Sequence, residues 1–226
     1  MMHALRLLLD GDPYTLEVIA TSLKISAVSL AIAIAIGLPL GLALGMTRFA
    51  GKGGFLVLVN SAMGLPPVVV GLFVFMALRN DGPFGQAGLL FTPTAMVIAQ
   101  VPLAVPLIAG ITMAAIAALH PDIRLQARGL GAGRIQQARL VAREARPSLV
   151  AACIAGFGIT ISEVGAIIIT GGNLLVGGHN YTRTMTTAIV QETRQGRFDR
   201  ALAFAIILLV LIAIVNIFLT RAQTRR

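Results

Sequence analysis

The chain has 226 residues, of which 57% are hydrophobic and only 12% are charged, with a mean hydropathy of +0.87. Soluble domains carry about 25% charged residues, so this composition excludes a soluble globular protein and specifies an integral membrane protein. The excess of 18 basic over 9 acidic residues, +9 overall, would suggest nucleic acid in a soluble chain. Here the basic residues gather at the ends of apolar runs, where positive-inside topology and anionic lipid account for them.

Met1 to Thr15 is mixed, with Asp10, Asp12 and Pro13, and reads as an outer-surface arm or a helix start. The first span is expected over Ile25–Met46, long enough for the roughly 20 residues that a spanning helix needs. A secretory signal has an apolar core of only about 7 to 15 residues, which argues against that reading. Gly37, Pro39, Gly41 and Gly45 toward its far end suit close helix contacts. Arg48 and Lys52 follow in a Gly-rich turn placed inside the cell. Phe55–Leu78 is the second span, and Pro66 and Pro67 near its centre interrupt helical hydrogen bonding. In lipid the freed backbone must face protein or a water-filled path, so these prolines mark either a pathway lining or a buried kink. Arg79 to Thr92 is an outer loop, and Thr94–Leu119 is a third span broken by Pro102 and Pro106.

From His120 to Pro147 the chain changes character: six arginines and no spanning run. Loop Lys and Arg are poorly translocated, so this segment is cytoplasmic. Pro121 and Asp122 start a short helix with Ile123, Ala127 and Leu130 on one face; Gly131 and Gly133 end it, and Arg134 to Arg146 forms a second, amphipathic helix. On charge alone the segment could equally be a solvated loop that fixes topology. Leu149–Thr170 is the fourth span and carries an acidic residue, Glu163, beside Ser162. Such a residue is costly in a membrane and needs a structural partner or a place on the pathway. Gly177 to Arg200 is too polar to span, with a short surface helix around Thr182–Ile189 whose hydroxyls are candidates for contact with substrate or a docking protein. Ala201–Thr220 is the last span, and Arg221, Arg225 and Arg226 lie in a basic tail. The lone Cys153 is a small core residue.

Several stretches carry a family resemblance. Asp122-Ile123-Arg124-Leu125-Gln126-Ala127-Arg128-Gly129-Leu130-Gly131-Ala132 resembles the Glu-Ala-Ala loop of ATP-binding cassette (ABC) importer permeases. Ala127 and Gly131 fall at matching positions, while Leu125 and Gln126 replace the Glu and first Ala, and the closing Ile-x-Leu-Pro is absent, with proline only at Pro147. The resemblance implies a coupling helix seated in a groove of an ATPase subunit, through Gln126, Ala127, Arg128 and Gly131. Leu65-Pro66-Pro67-Val68-Val69-Val70-Gly71-Leu72 looks like the corresponding helix of molybdate-type permeases. Ile161-Ser162-Glu163-Val164-Gly165-Ala166, followed by Gly171-Gly172-Asn173, is similar to a motif of the tungstate and molybdate branch. Pro66, Pro67, Ser162, Glu163 and Gly165 become pathway or gate candidates, and Arg183, Thr184 and Thr186 outer-surface candidates.

Taken together these imply an all-α membrane protein of the MetI-like permease fold, residues 1–226 forming one domain of about five transmembrane helices with a cytoplasmic coupling helix. The amino terminus is expected outside and the carboxyl terminus in the cytoplasm of a bacterial-type inner membrane. Of the 18 basic residues, 11 then lie inside and 7 outside or at the outer edge. The implied partners are cytoplasmic ABC ATPase subunits, an extracytoplasmic binding protein that selects the oxyanion, a second copy of the chain, and lipid, but no nucleic acid. No phosphate-binding Gly-x-x-x-x-Gly-Lys-Ser/Thr is present, so ATP-Mg is expected on the ATPase and no cofactor on this chain. His3, His120 and His179 are isolated and offer no metal site, and Ser162 has no base nearby in sequence for nucleophilic catalysis, so no catalytic residue is assigned. The competing classes are an ion channel or ion-coupled carrier, with Glu163 as the coupling carboxylate, and a membrane scaffold without flux.

Overall fold

The computed structural model describes residues 12–47 and 49–224. Most of the expected amino-terminal arm, with His3 and Arg6, lies outside the described residues, as do Arg48, Arg225 and Arg226. Helix α1 (Pro13–Met46) starts twelve residues before the expected span. Its cap is local: the Asp12 carboxylate accepts from the Thr15 amide at 3.0 Å, and Pro13 occupies the first helical position, where no amide proton is needed. At 34 residues α1 is about 51 Å long, more than the hydrocarbon thickness, so the turns carrying Glu17, Thr21 and Lys24 extend it past the apolar core.

The expected second span is two helices, α2 (Lys52–Met63) and α3 (Pro67–Leu78), bent by 97° at the break between them. Proline forces the residue before it out of the helical region, and Pro66 is extended at φ −63°, ψ 124° while Pro67 opens α3. Helix α4 (Pro93–Ala117) corrects the expectation of a broken third span: Pro102 and Pro106 lie inside an uninterrupted helix. It is the central helix, packed on α1, α2, α3 and the two helices that follow the basic segment. Gly37, Gly41 and Gly45 form a bare stripe on α1 against Ile108, Thr112 and Ile116 of α4. A Cβ on Gly41 would stand 2.5 Å from the Ala109 carbonyl oxygen. Small residues at this spacing let two backbones approach within the membrane.

After α5 (Pro121–Gly129) and α6 (Arg134–Glu144), the expected fourth span divides into α7 (Arg146–Ser162) and α8 (Gly165–Gly171). A two-residue hairpin, β1 (Leu175–Val176) with β2 (His179–Asn180), turns at Gly177 and Gly178, both at positive φ as a tight primed turn requires. Helices α9 (Met185–Arg194) and α10 (Phe198–Thr224) complete the described residues. Among the described residues three helices are long and apolar enough to cross a membrane alone, and up to five crossings result if each bent pair is one span. The molecule has two distinct ends. Ile116, Val141 and Ala145 cluster with Leu42, Met46, Leu119 and Leu149 at the basic end. At the other, Val18, Phe157, Met185, Phe204 and Ile207 tie α1, α7, α9 and α10 together.

Candidate functional site

The basic segment folds into a rigid hairpin of helices. Gly131, at φ +80°, takes the left-handed position after α5. The Gly131 amide donates to the Arg128 carbonyl and the Ala132 amide to the Ala127 carbonyl, both at 3.0 Å, the paired closure of a Schellman motif. Gln136 Oε1 accepts from the Gly133 amide, and Gln137 Nε2 donates to the Ala132 carbonyl, each at 2.8 Å. Val141 anchors α6 on Ile116 and Ala145. Ala127, expected in a partner's groove, is 8% exposed and faces inward, because its side of α5 packs on α6. The outward surface belongs to Leu125, Gln126, Arg128 and Ile135, with Leu130 at the tip 89% exposed.

A second constellation surrounds the break between α7 and α8. Glu163 is not within a helix, as a continuous span would require, but caps the break, 6% exposed. Its Oε1 accepts from the Ala166 amide at 2.8 Å in the first turn of α8, and its carbonyl accepts from Thr186 Oγ1 at 2.9 Å. The Thr160 carbonyl accepts from Gln100 Nε2 at 2.8 Å and from Ser26 Oγ at 3.3 Å. A broken helix leaves terminal carbonyls without amide partners, and here α1, α4 and α9 supply them. Gly71 and Gly165 let α3 lie on α8: a Cβ on Gly71 would meet Ala166 Cα at 2.6 Å, and one on Gly165 would meet Val68 Cγ2 at 2.7 Å. The Pro66–Pro67 break therefore lies alongside the Ser162–Gly165 break, bringing those five candidates into one region, with Pro66 and Ser162 exposed. Gln100 and Thr160 were missed by sequence reasoning; a lone amide inside an apolar run was the available signal.

At the end opposite the basic hairpin, the threonines read as surface contacts are internal. Thr184 caps α9, exchanging hydrogen bonds with Thr187, and Thr186 is committed to Glu163, so both hydroxyls are buried. His179 is not isolated: its Nδ1 lies 2.8 Å from Glu17 Oε1, and Glu17 Oε2 accepts from the Asn180 amide at 2.7 Å, pinning the hairpin to α1. Glu192, 1% exposed, is a second buried acid; Arg197 donates to it through Nε at 2.5 Å and NH2 at 3.0 Å, and this bond raises the guanidinium pKa above its ordinary value. Arg183 is half-buried. It donates through Nε to Asn173 Oδ1 at 3.1 Å and through NH1 to the Tyr14 hydroxyl at 2.7 Å. Among the described residues no group of three His, Cys, Asp or Glu could hold a metal ion.

Comparison with known proteins places this geometry. The family model described as "Binding-protein-dependent transport system inner membrane component" matches residues 37–226. A "Probable anion ABC transporter permease protein" of Haloferax volcanii is 39% identical over 94% of this chain and 92% of its own length. The tungstate uptake system permease protein of Peptoclostridium acidaminophilum is 37% identical over the same shares, and that of Campylobacter jejuni 33% identical over 99% of this chain and 91% of its own. Among solved structures, a chain of the MetNI methionine ABC transporter in an inward-facing conformation superposes with a TM-score of 0.71 at 20% identity, covering 94% of this chain and 97% of that one. A chain of a bacterial ABC transporter that imports alginate gives 0.73 at 21%, covering 92% and 78%. With the mostly helical fold, the helical hairpin and the paired breaks in place, the chain belongs to the inner membrane components of binding-protein-dependent transport systems, the permease family of ABC importers.

Proposed function

We propose that this chain is the membrane-spanning subunit of an ATP-driven importer of tungstate or a related oxyanion such as molybdate. It works as a homodimer, with two ABC ATPase subunits under the basic hairpin and a substrate-binding protein at the opposite end. The observation that carries the reading is the hairpin itself. Its turn is locked by a Schellman closure and two glutamine bonds, while its tip presents Leu130 and Ile135 uncovered among exposed arginines. A rigid helix pair with an apolar tip and charged flanks suits a groove on a soluble partner. The hairpin lies in the cytoplasm, so the amino terminus is outside and the carboxyl terminus inside. ATP-Mg is bound by the ATPase. Its closure moves the hairpins, α6 carries that motion through Val141 to α4 and α7, and the two breaks, at Pro66–Pro67 and at Ser162–Gly165 where helical hydrogen bonding is interrupted, take up the displacement.

The tungstate preference is supported by the two tungstate permeases among the relatives. An ion-coupled carrier would need Glu163 as a free coupling carboxylate, and it is engaged as the acceptor that starts α8. Purification of the tagged chain from its native membranes tests the reading. An ABC ATPase is expected to copurify, and Leu130→Asp is expected to release it. Isolation of a folded chain without an ATPase, together with uptake driven by a proton gradient, would contradict it.

A further inference from the structure

A cavity of about 270 Å³ lies at the end of the molecule opposite the hairpin, lined among others by Gly172, Asn173, Arg183, Thr187, Gln191 and Arg194. Thr187, Val190, Gln191 and Arg194 recur at helical spacing, so one face of α9 forms its wall. Opposite stands Arg183, and its position is fixed in an unusual way. Gly172 and Asn173 both adopt left-handed backbone angles, φ +69° and +54°. This turns Asn173 so that its side-chain oxygen accepts from Arg183 Nε at 3.1 Å and its carbonyl from NH2 at 3.4 Å. A non-glycine residue held there costs energy and persists where the surroundings enforce it. Tyr14 completes the clamp, accepting from NH1 at 2.7 Å with its ring 5.8 Å from the guanidinium carbon.

All these partners are neutral, so the clamp orients the guanidinium without cancelling its charge. Among the described residues neither Arg183 nor Arg194 has a carboxylate within ion-pair distance. Among the acids of this end, Asp12 is engaged by the Thr15 amide and hydroxyl, Glu17 by His179 and Asn180 of the β-hairpin, Glu192 by Arg197 and Asp81 by Arg79. A preorganised guanidinium with no carboxylate partner, beside the exposed Arg194 and the Gln191 side chain, is a receptor for a tetrahedral oxyanion, which accepts several N–H bonds at once. The volume suffices for one such ion with bridging water, each water occupying about 30 Å³ in the liquid.

We propose that this cavity is an oxyanion holding site, in which Arg183 and Arg194 take a tetrahedral dianion after its release by the binding protein and before it enters the pathway. The proposal rests on the importer reading above and adds the residues that receive the cargo. Arg194 is exposed, so the site binds weakly and exchanges quickly, as a transit site must. The test uses the permease–ATPase complex carrying Cys153→Ala and Val190→Cys. Modification of position 190 by a negatively charged methanethiosulfonate reagent is timed in sodium tungstate and in sodium chloride of equal ionic strength, which separates occupancy from screening. Tungstate is expected to slow modification roughly fivefold or more relative to chloride, and Arg194→Gln to remove most of that protection while Arg194→Lys keeps part of it. Gln191→Cys reports the same wall if Val190→Cys does not fold. Equal rates in tungstate and chloride, in a complex that still imports tungstate on ATP, would overturn the holding site and leave the importer reading intact. Protection in a complex that imports no tungstate would support the site and overturn the importer reading.

Discussion

Thr186 shows how a hydroxyl at the end opposite the helical hairpin can be structural. It donates to the Glu163 carbonyl, which no helix amide reaches because α7 stops there. Thr186→Val keeps the shape and leaves a buried acceptor unpaired, a loss of about 1–3 kcal/mol. Thermal unfolding in detergent is expected to show it, while Thr193→Val, on the exposed side of α9, is expected to leave the midpoint unchanged. Glu163 is tested by contrast between two variants. Glu163→Gln retains an acceptor for the Ala166 amide and is expected to fold with near-normal stability, whereas Glu163→Leu loses the cap at about 0.5–2 kcal/mol. Equal destabilisation by both would show that the charge, and not the hydrogen bond, holds the break. The expense of an acid in an apolar run was legible in the sequence. Its partner was not, because Glu163 and Thr186 are 23 residues apart and only the folding of α9 back onto the break joins them.

At the scale of elements, the glycines decide which helices touch. Gly41→Ala would place a methyl 2.5 Å from the Ala109 carbonyl and force α1 from α4, with an expected loss of about 1–3 kcal/mol. Gly131 acts on a different element. Its positive φ makes Gly131→Val strained by about 1–3 kcal/mol locally, so the hairpin tip is expected to deform while the spans still assemble, and ATPase binding to fall. Ala127→Glu is expected to act by the same route, since Ala127 faces α6 rather than a partner. The short helix, turn and second helix of the hairpin could be read from Pro121, Gly131 and Gly133, since their backbone preferences are local. The bends could be read less well. Pro66–Pro67 breaks its helix and Pro102 and Pro106 do not, a difference set by the packing of α4 among its neighbours and invisible in composition. The start of α1 was placed late because hydropathy sees only the part of a helix that lies in lipid, although Asp12 and Pro13 had marked the true beginning.

The whole molecule is polar along its long axis. Arginines and an uncovered apolar tip occupy one end, and a clamped guanidinium with a cavity occupies the other. Between them, α3 and α8 meet at two adjacent breaks, and Phe73, Val57 and Leu209 are among large apolar side chains left exposed for lipid or a second copy. Motion at the helical hairpin can reach the far end through α1 and α7, which contribute side chains to the apolar clusters at both ends, with α4 packed between them. The most direct measurement is tungstate uptake into proteoliposomes containing this chain, its ATPase and its binding protein, with wild type compared against Leu130→Asp. Uptake that requires ATP inside the vesicle, survives collapse of the proton gradient and is lost in Leu130→Asp is the expected result. Uptake that needs no ATP, or that Leu130→Asp leaves unchanged, would contradict the assignment of the hairpin as the point where hydrolysis is coupled to transport.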